Sequence, residues 1–235
     1  MQTTPLNVLD ELYLHLDRKQ EPWSVHLEVR VEGRIDGKRL NTAVRRAALS
    51  HPIARARLAD ARATDVRYRW EIADRLTSID LEEIECDGPA DLAQGRERLL
   101  SRTPDLDRAG PFRLLLAHDP QGDVLLMNLH HAAGDGLSAL RLMGSIARAY
   151  SKKKDPMATV DALEVRDVNA MAGSGSLKER ITRGRAAVEY LTRGMNTPTR
   201  IAPQGPAKQP GYGFELLSFE PSQLEEILAL RTGGA

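Results

Sequence analysis

From Ser24 to Gly33 the chain alternates: Val25, Leu27, Val29 and Val31 against His26, Glu28, Arg30 and Glu32. A period of two predicts a strand with one buried face. Upstream, Leu6, Val8, Leu9, Leu12, Tyr13 and Leu16 fall at helical spacing. Downstream, Asp36 is placed to cap a helix carrying Leu40, Val44 and Ala47, running to about Ser50 and stopped by Pro52. Val66, Tyr68, Trp70 and Ile72 alternate again, and residues 79–84 form a weaker strand pattern. Residues 90–102 read as a helix ended by Pro104. Two apolar runs, 112–117 and 124–129, flank a turn at 118–122 and predict a hairpin. The second run is apolar nearly throughout, so both of its faces should be covered. The last strong element is a helix over 137–150 with Leu137, Leu140, Met143, Ile146 and Tyr150 on one stripe.

These elements make residues 1–150 an α+β lobe: a two-layer sandwich of a mostly antiparallel sheet with helices on one face. The pattern then changes. Residues 151–212 read as a linker holding one amphipathic helix, with Leu177, Ile181, Val188 and Leu191 as its stripe. Residues 213–235 read as a strand followed by a helix that starts at Pro221, the beginning of a crossover to a further unit. Arg180, Arg183, Arg185 and Arg193 on the linker helix could form a basic patch for a phosphorylated carrier. A solvated helix face is the favoured reading. The apolar stripe is expected to pack on a further lobe or a symmetry mate, ahead of a membrane.

Composition narrows the function classes. Lys plus Arg number 33 and Asp plus Glu number 33, so no net field draws the chain to nucleic acid. Aromatic residues are 4%, too few for base-stacking platforms. Cys86 is the single cysteine, so no intrachain disulfide can form and a reducing compartment fits. The start carries no basic segment followed by an apolar core. No apolar run spans a bilayer. A cytoplasmic location, with peripheral membrane contact as the alternative, is the expectation.

The chemistry concentrates in residues 129–138, LHHAAGDGLS, between the predicted buried strand and the long helix. Adjacent residues at a strand end point in opposite directions. One histidine of the pair His130–His131 can therefore pack inward while the other faces a cleft. Three readings compete. Asp135 could simply cap the helix, with Gly134 and Gly136 supplying turn conformations. A metal site is weaker, because neighbouring histidines converge poorly on one ion and no further ligands sit at the right spacing. The best fit is a general base: a cleft-facing imidazole with an ordinary pKa near ~6.5 suits proton abstraction at neutral pH.

His130-His131-Ala132-Ala133-Gly134-Asp135-Gly136 resembles the HHxxxDG signature of the acyltransferase superfamily with the chloramphenicol-acetyltransferase-like fold. That superfamily includes condensation domains, polyketide-associated acyltransferases and wax ester synthase/diacylglycerol acyltransferases. Three flanking stretches agree in order. Residues 50–58, SHPIARARL, resemble the RHxxLRxxF-type stretch, departing at Ser50, Ala54 and Leu58. Residues 104–113, PDLDRAGPFR, resemble the Asp-Leu…Gly-Pro…Arg stretch, and residues 5–10, PLNVLD, resemble the opening of the wax synthase and polyketide-associated branches.

The resemblance implies roles residue by residue. His131 corresponds to the catalytic base and His130 to a packing residue. Asp135 corresponds to a structural carboxylate that pairs with an arginine, Arg55 first and Arg57 second. Gly134 and Gly136 shape the turn. No metal and no permanently bound cofactor are implied; acyl-CoA or a phosphopantetheinyl carrier thioester is the co-substrate, and an alcohol or amine the acceptor. Ester formation is favoured over amide formation. The partners implied are a second lobe from the same gene or a second chain, and an acyl carrier protein; nucleic acid is excluded. A homodimer in which one copy stands in for the second lobe is the rival, as is a non-catalytic scaffold on the same fold. Cys86 is expected to be inert.

Overall fold

The computed structural model describes residues 2–17, 22–60, 67–108, 110–156 and 220–225. In chain order these form β1 (Gln2–Pro5), α1 (Val8–Leu16), β2 (Ser24–Arg30), α2 (Gly37–Ala48), a 3-10 turn (Pro52–Arg55), β3 (Ala56–Leu58), β4 (Arg69–Ile72), β5 (Asp80–Glu85), α3 (Pro89–Leu100), β6 (Phe112–His118), β7 (Val124–His130) and α4 (Gly136–Tyr150). Residues 221–225 are helical, with Pro221 at the first position. Val66, the linker helix with its arginines, and the rest of the 213–235 crossover lie outside the described residues.

The central sheet has the order β2-β7-β6-β5. β7 pairs antiparallel with β2 (Ser24 opposite His130) and with β6 (Phe112 opposite Leu129), whereas β5 joins β6 in parallel. The hairpin turn closes at Gly122, whose φ of 109° suits glycine. A Cβ there would also collide with the Val31 carbonyl oxygen.

Every residue of β6 and β7 is buried, as their unbroken apolar character predicts. The alternation sorts them between two layers. Leu114, Leu116, Leu125, Met127 and Leu129 face a core shared with α2 and α4. Leu115, Ala117, Val124 and Leu126 face Leu92, Leu99 and Leu100 of α3. The mixed, mostly antiparallel α/β class stands as expected, with α2 and α4 side by side on one face. α3 covers the opposite face, where the helices were expected on one face only, because the central strands β6 and β7 are apolar on both sides.

Of a second, three-stranded sheet, β1-β4-β3, the periodicity reading contains only β4, in the alternation that ends at Trp70 and Ile72. β1 and β3 have four and three residues, too short to show a period. Trp70 anchors this sheet, fully buried beside Leu6 and Ile72.

Two helical stripes differ from expectation. In α4 the buried residues are Ala139, Leu142, Met143, Ser145 and Ile146. Leu137 and Leu140 are 76% and 55% exposed, so the true stripe is rotated toward the small Ala139, which lets α4 approach α2. In α1 the buried residue is Asp10, and Val8, Leu9 and Leu12 are exposed. Asp10 turns inward because it completes a reciprocal cap with Asn7, whose Oδ1 accepts from Asp10 N–H at 2.8 Å.

Candidate functional site

The histidine pair sits where β7 ends, and its two members diverge as strand geometry requires. His130 is 1% exposed, on the sheet face covered by α3. Its Nδ1 accepts a hydrogen bond from Ala132 N–H at 3.1 Å. A neutral imidazole carries one proton, so that proton is on Nε2, which faces Asp17 Oδ2 at 3.7 Å. Burial, helped by the neighbouring His131 and opposed by the Asp17 charge, pushes the His130 pKa down to about 4. His130 is therefore a buried, neutral imidazole at physiological pH.

His131 lies on the other face and is half-buried. Its ring stacks on Tyr13 of α1, centroids 3.9 Å apart and planes 22° apart, and Trp23 stands at 6.3 Å. Its backbone N–H donates to Trp23 C=O at 3.1 Å. Nδ1 is buried with no hydrogen-bond partner among the described residues.

Asp135 is the N-cap of α4. One oxygen accepts from both Ser138 N–H at 2.8 Å and Ser138 Oγ–H at 2.7 Å. These bonds hold its carboxyl below the usual carboxylate range. The expected pair with Arg55 is not formed. Arg55 donates instead to the carbonyls of Ala48, Ala73 and Asp74, at 2.8, 2.5 and 2.9 Å. It thereby satisfies acceptors at the C-terminal end of α2 and just beyond β4. Arg57 pairs with Glu71 across the β3–β4 ladder. The physical reason is local: a serine three residues after Asp135 offers two donors at little entropic cost. Arg55 is still structural, as a clamp between α2 and the small sheet.

The glycines also divide. Gly134 is tightly packed, since a Cβ there would lie 2.8 Å from Ser138 Cβ and 3.2 Å from Leu129 Cδ2. Gly136 faces open space and begins α4 without a left-handed backbone, so the turn does not require it.

Several residues around the pair carry no sequence motif. Tyr13, Trp23, Asp17 and Thr103 come from three separate elements and meet only in the fold. The one usable signal is an aromatic ring on α1 beside a predicted strand start. Further away, buried His118 bridges Asp123 (Nδ1, 2.8 Å) and Glu83 (Nε2, 2.8 Å). Ser145 donates to Asp155 at 2.5 Å and takes His51 Nε2 at 2.9 Å. The serine's one proton goes to the carboxylate, so His51 donates to it and the trio lacks an activated nucleophile. Cys86 is buried with its thiol pKa raised by burial, an unreactive setting. Among the described residues no three His, Cys, Asp or Glu side chains could hold a metal ion, and no helix could cross a membrane.

With this geometry in place, the sequence profile of the Condensation domain family matches residues 12–168. The chain belongs to that family. An uncharacterized protein of Mycobacterium tuberculosis is 36% identical over the whole chain, which spans 53% of that relative's length. Malformin synthetase of Aspergillus niger is 30% identical over 135 residues, 56% of this chain and 3% of that much longer protein. Among solved structures, the tallysomycin biosynthesis protein TlmII superposes with a TM-score of 0.62 at 21% identity, covering 82% of this chain and 47% of its own. The X-domain from teicoplanin biosynthesis gives 0.59 at 22% identity, with 77% and 42% covered. These likenesses establish the condensation-domain fold, and in both solved structures the chain corresponds to less than half the molecule.

Proposed function

We propose that the chain is the N-terminal half of an acyltransferase that moves an acyl group from a thioester to an alcohol or amine, with His131 as general base. The donor is acyl-CoA or an acyl chain on a phosphopantetheinyl carrier, and the remaining half supplies the facing wall of the cleft. One observation supports this reading: at the junction of β7 and α4, the half-buried His131 is stacked on the Tyr13 ring with Nδ1 buried, so Nε2 is the nitrogen assigned to the reaction.

The reaction follows from that nitrogen. His131 Nε2 takes the proton of the acceptor O–H or N–H as its heteroatom attacks the thioester carbonyl carbon. The tetrahedral intermediate then expels the thiolate, and the imidazolium returns the proton to sulfur. General-base assistance of this kind is worth roughly 10²–10⁴-fold. Neutral His130 matters here, because a second positive charge in the adjacent residue would oppose formation of the imidazolium.

The test is His131→Ala in the full-length protein, following free thiol release from an acyl thioester. A drop of two or more orders of magnitude is expected. An unchanged rate ends the base reading and leaves a non-catalytic scaffold on the same fold.

A further inference from the structure

Asp17 follows α1 and closes it, its N–H donating to Tyr13 C=O at 3.1 Å. Its carboxylate, about four-fifths buried, reaches three other parts of the molecule. Oδ1 accepts from Trp23 N–H at 2.8 Å. Oδ2 accepts from Thr103 Oγ–H, beyond α3, at 2.9 Å and faces His130 Nε2 at 3.7 Å. Trp23 in turn gives its carbonyl to His131 N–H at 3.1 Å. The ring that stacks on His131 belongs to Tyr13, one turn before Asp17 on the same helix.

We propose that Asp17 is the positioning residue of the histidine pair, fixing His131 through the Trp23 backbone and the Tyr13 ring and fixing the His130 tautomer through its carboxylate. This rests on the general-base reading of His131.

Nothing else described ties α1, the start of β2, the loop after α3 and the end of β7 to one group. The carboxylate lies on the α3 side with His130, and the base lies on the opposite side, so Asp17 touches no reacting atom. Its influence on His131 passes through backbone at Trp23 and through helix placement at Tyr13. A negative oxygen beside His130 Nε2 favours the proton on that nitrogen. That leaves Nδ1 free to accept from Ala132 N–H, which pins the turn leading from His131 into α4. A base must be held to within a fraction of an ångström of its productive position.

Asp17→Asn separates these effects from bulk. With its oxygen in the place of Oδ1 asparagine keeps an acceptor for Trp23 N–H, but the amide nitrogen in the place of Oδ2 cannot accept from Thr103 or from His130 Nε2–H. Thr103→Val removes only one donor and tests the same carboxylate where Asp17→Asn does not fold. Two measurements are needed in the full-length protein. The first is turnover of octanoyl-CoA with 1-octanol. Asp17→Asn is expected to lower kcat about tenfold or more with KM unchanged, and Thr103→Val to lower it less. A rise in KM at unchanged kcat overturns the proposal. The second is nitrogen NMR of histidine-labelled protein, which does not depend on turnover. His130 should show the Nε2–H tautomer in the wild type. Its Nε2–H signal and the His131 amide should both move in either variant. Unmoved signals in a folded variant overturn the proposal. If His131→Ala leaves turnover unchanged, the base reading fails, while the NMR shifts still decide whether Asp17 organises the pair.

Discussion

The Tyr13 ring lies flat on the His131 imidazole, 3.9 Å between centroids. A helix eight residues from the N-terminus thereby forms the floor of a site whose motif lies more than a hundred residues later. Aromatic contacts of this kind contribute about 0.5–1.5 kcal/mol beyond burial. Tyr13→Phe keeps the ring and should retain near wild-type turnover. Tyr13→Ala should lose about three- to tenfold in kcat, with fluorescence of Trp23, 5.7 Å from Tyr13, reporting whether the surround has shifted. Equal loss in both variants would mean that the hydroxyl, not the stack, is what matters.

The Asp135–Ser138 cap makes a quantitative statement against a buried ion pair. Losing an N-cap costs about 1 kcal/mol, whereas breaking a buried pair costs about 3–5 kcal/mol. Urea unfolding of Asp135→Ala should therefore show the smaller loss. Arg55→Ala should be more damaging, because three backbone carbonyls lose their donor. The double variant should be additive within about 0.5 kcal/mol. A coupling well above that would restore the pair.

The contrast shows what the sequence could carry. β2, β6, β7, α2 and the junction that bears the histidines were legible because burial on one or both faces writes a period into at least six residues. The split between His130 and His131 was legible for the same reason. For Asp135 the simple reading as a helix cap holds, and the arginine partner implied by the resemblance does not, since a motif names residue types while the bond goes to the nearest donor, here Ser138. The α1 stripe failed at Val8, Leu9 and Leu12, which are exposed while the capping residue Asp10 turns inward. Asp17, Tyr13 and Trp23 were invisible because their meeting depends on tertiary packing alone.

His118 should make stability depend on pH from the alkaline side. Burial pushes its pKa down, but the hydrogen bonds it donates to Glu83 and Asp123 and the Asp123 charge outweigh this, and the net shift is upward from 6.5. Arg34 opposes it from the loop before α2, and Ile35 N–H donates to the same Asp123 oxygen at 2.6 Å. A raised folded pKa gives stability that is complete below 6.5 and is lost as pH rises through the folded value. His118→Gln should therefore be less stable than wild type at pH 6. The gap in urea midpoint should narrow as pH is raised above 6.5. A gap that widens with pH would contradict a cationic His118.

His130 should act in the opposite sense on the acid side. Its folded pKa, about 4, lies below the unfolded value of 6.5 because the charged ring is penalised by burial. Stability from this group is therefore complete above 6.5 and is lost as pH falls toward 4. The gap between the two values corresponds to about 3 kcal/mol by pH 4. His130→Asn retains a side-chain acceptor for Ala132 N–H but cannot take up a proton. Above pH 7 the variant should be less stable than wild type, because it fills less of the space under α3. As pH is lowered the wild type should lose stability faster, and the two unfolding curves should approach each other between pH 6 and 4. Parallel curves across that range would mean that His130 is charged at no added cost, and that the neutral tautomer assigned from the Ala132 hydrogen bond is wrong.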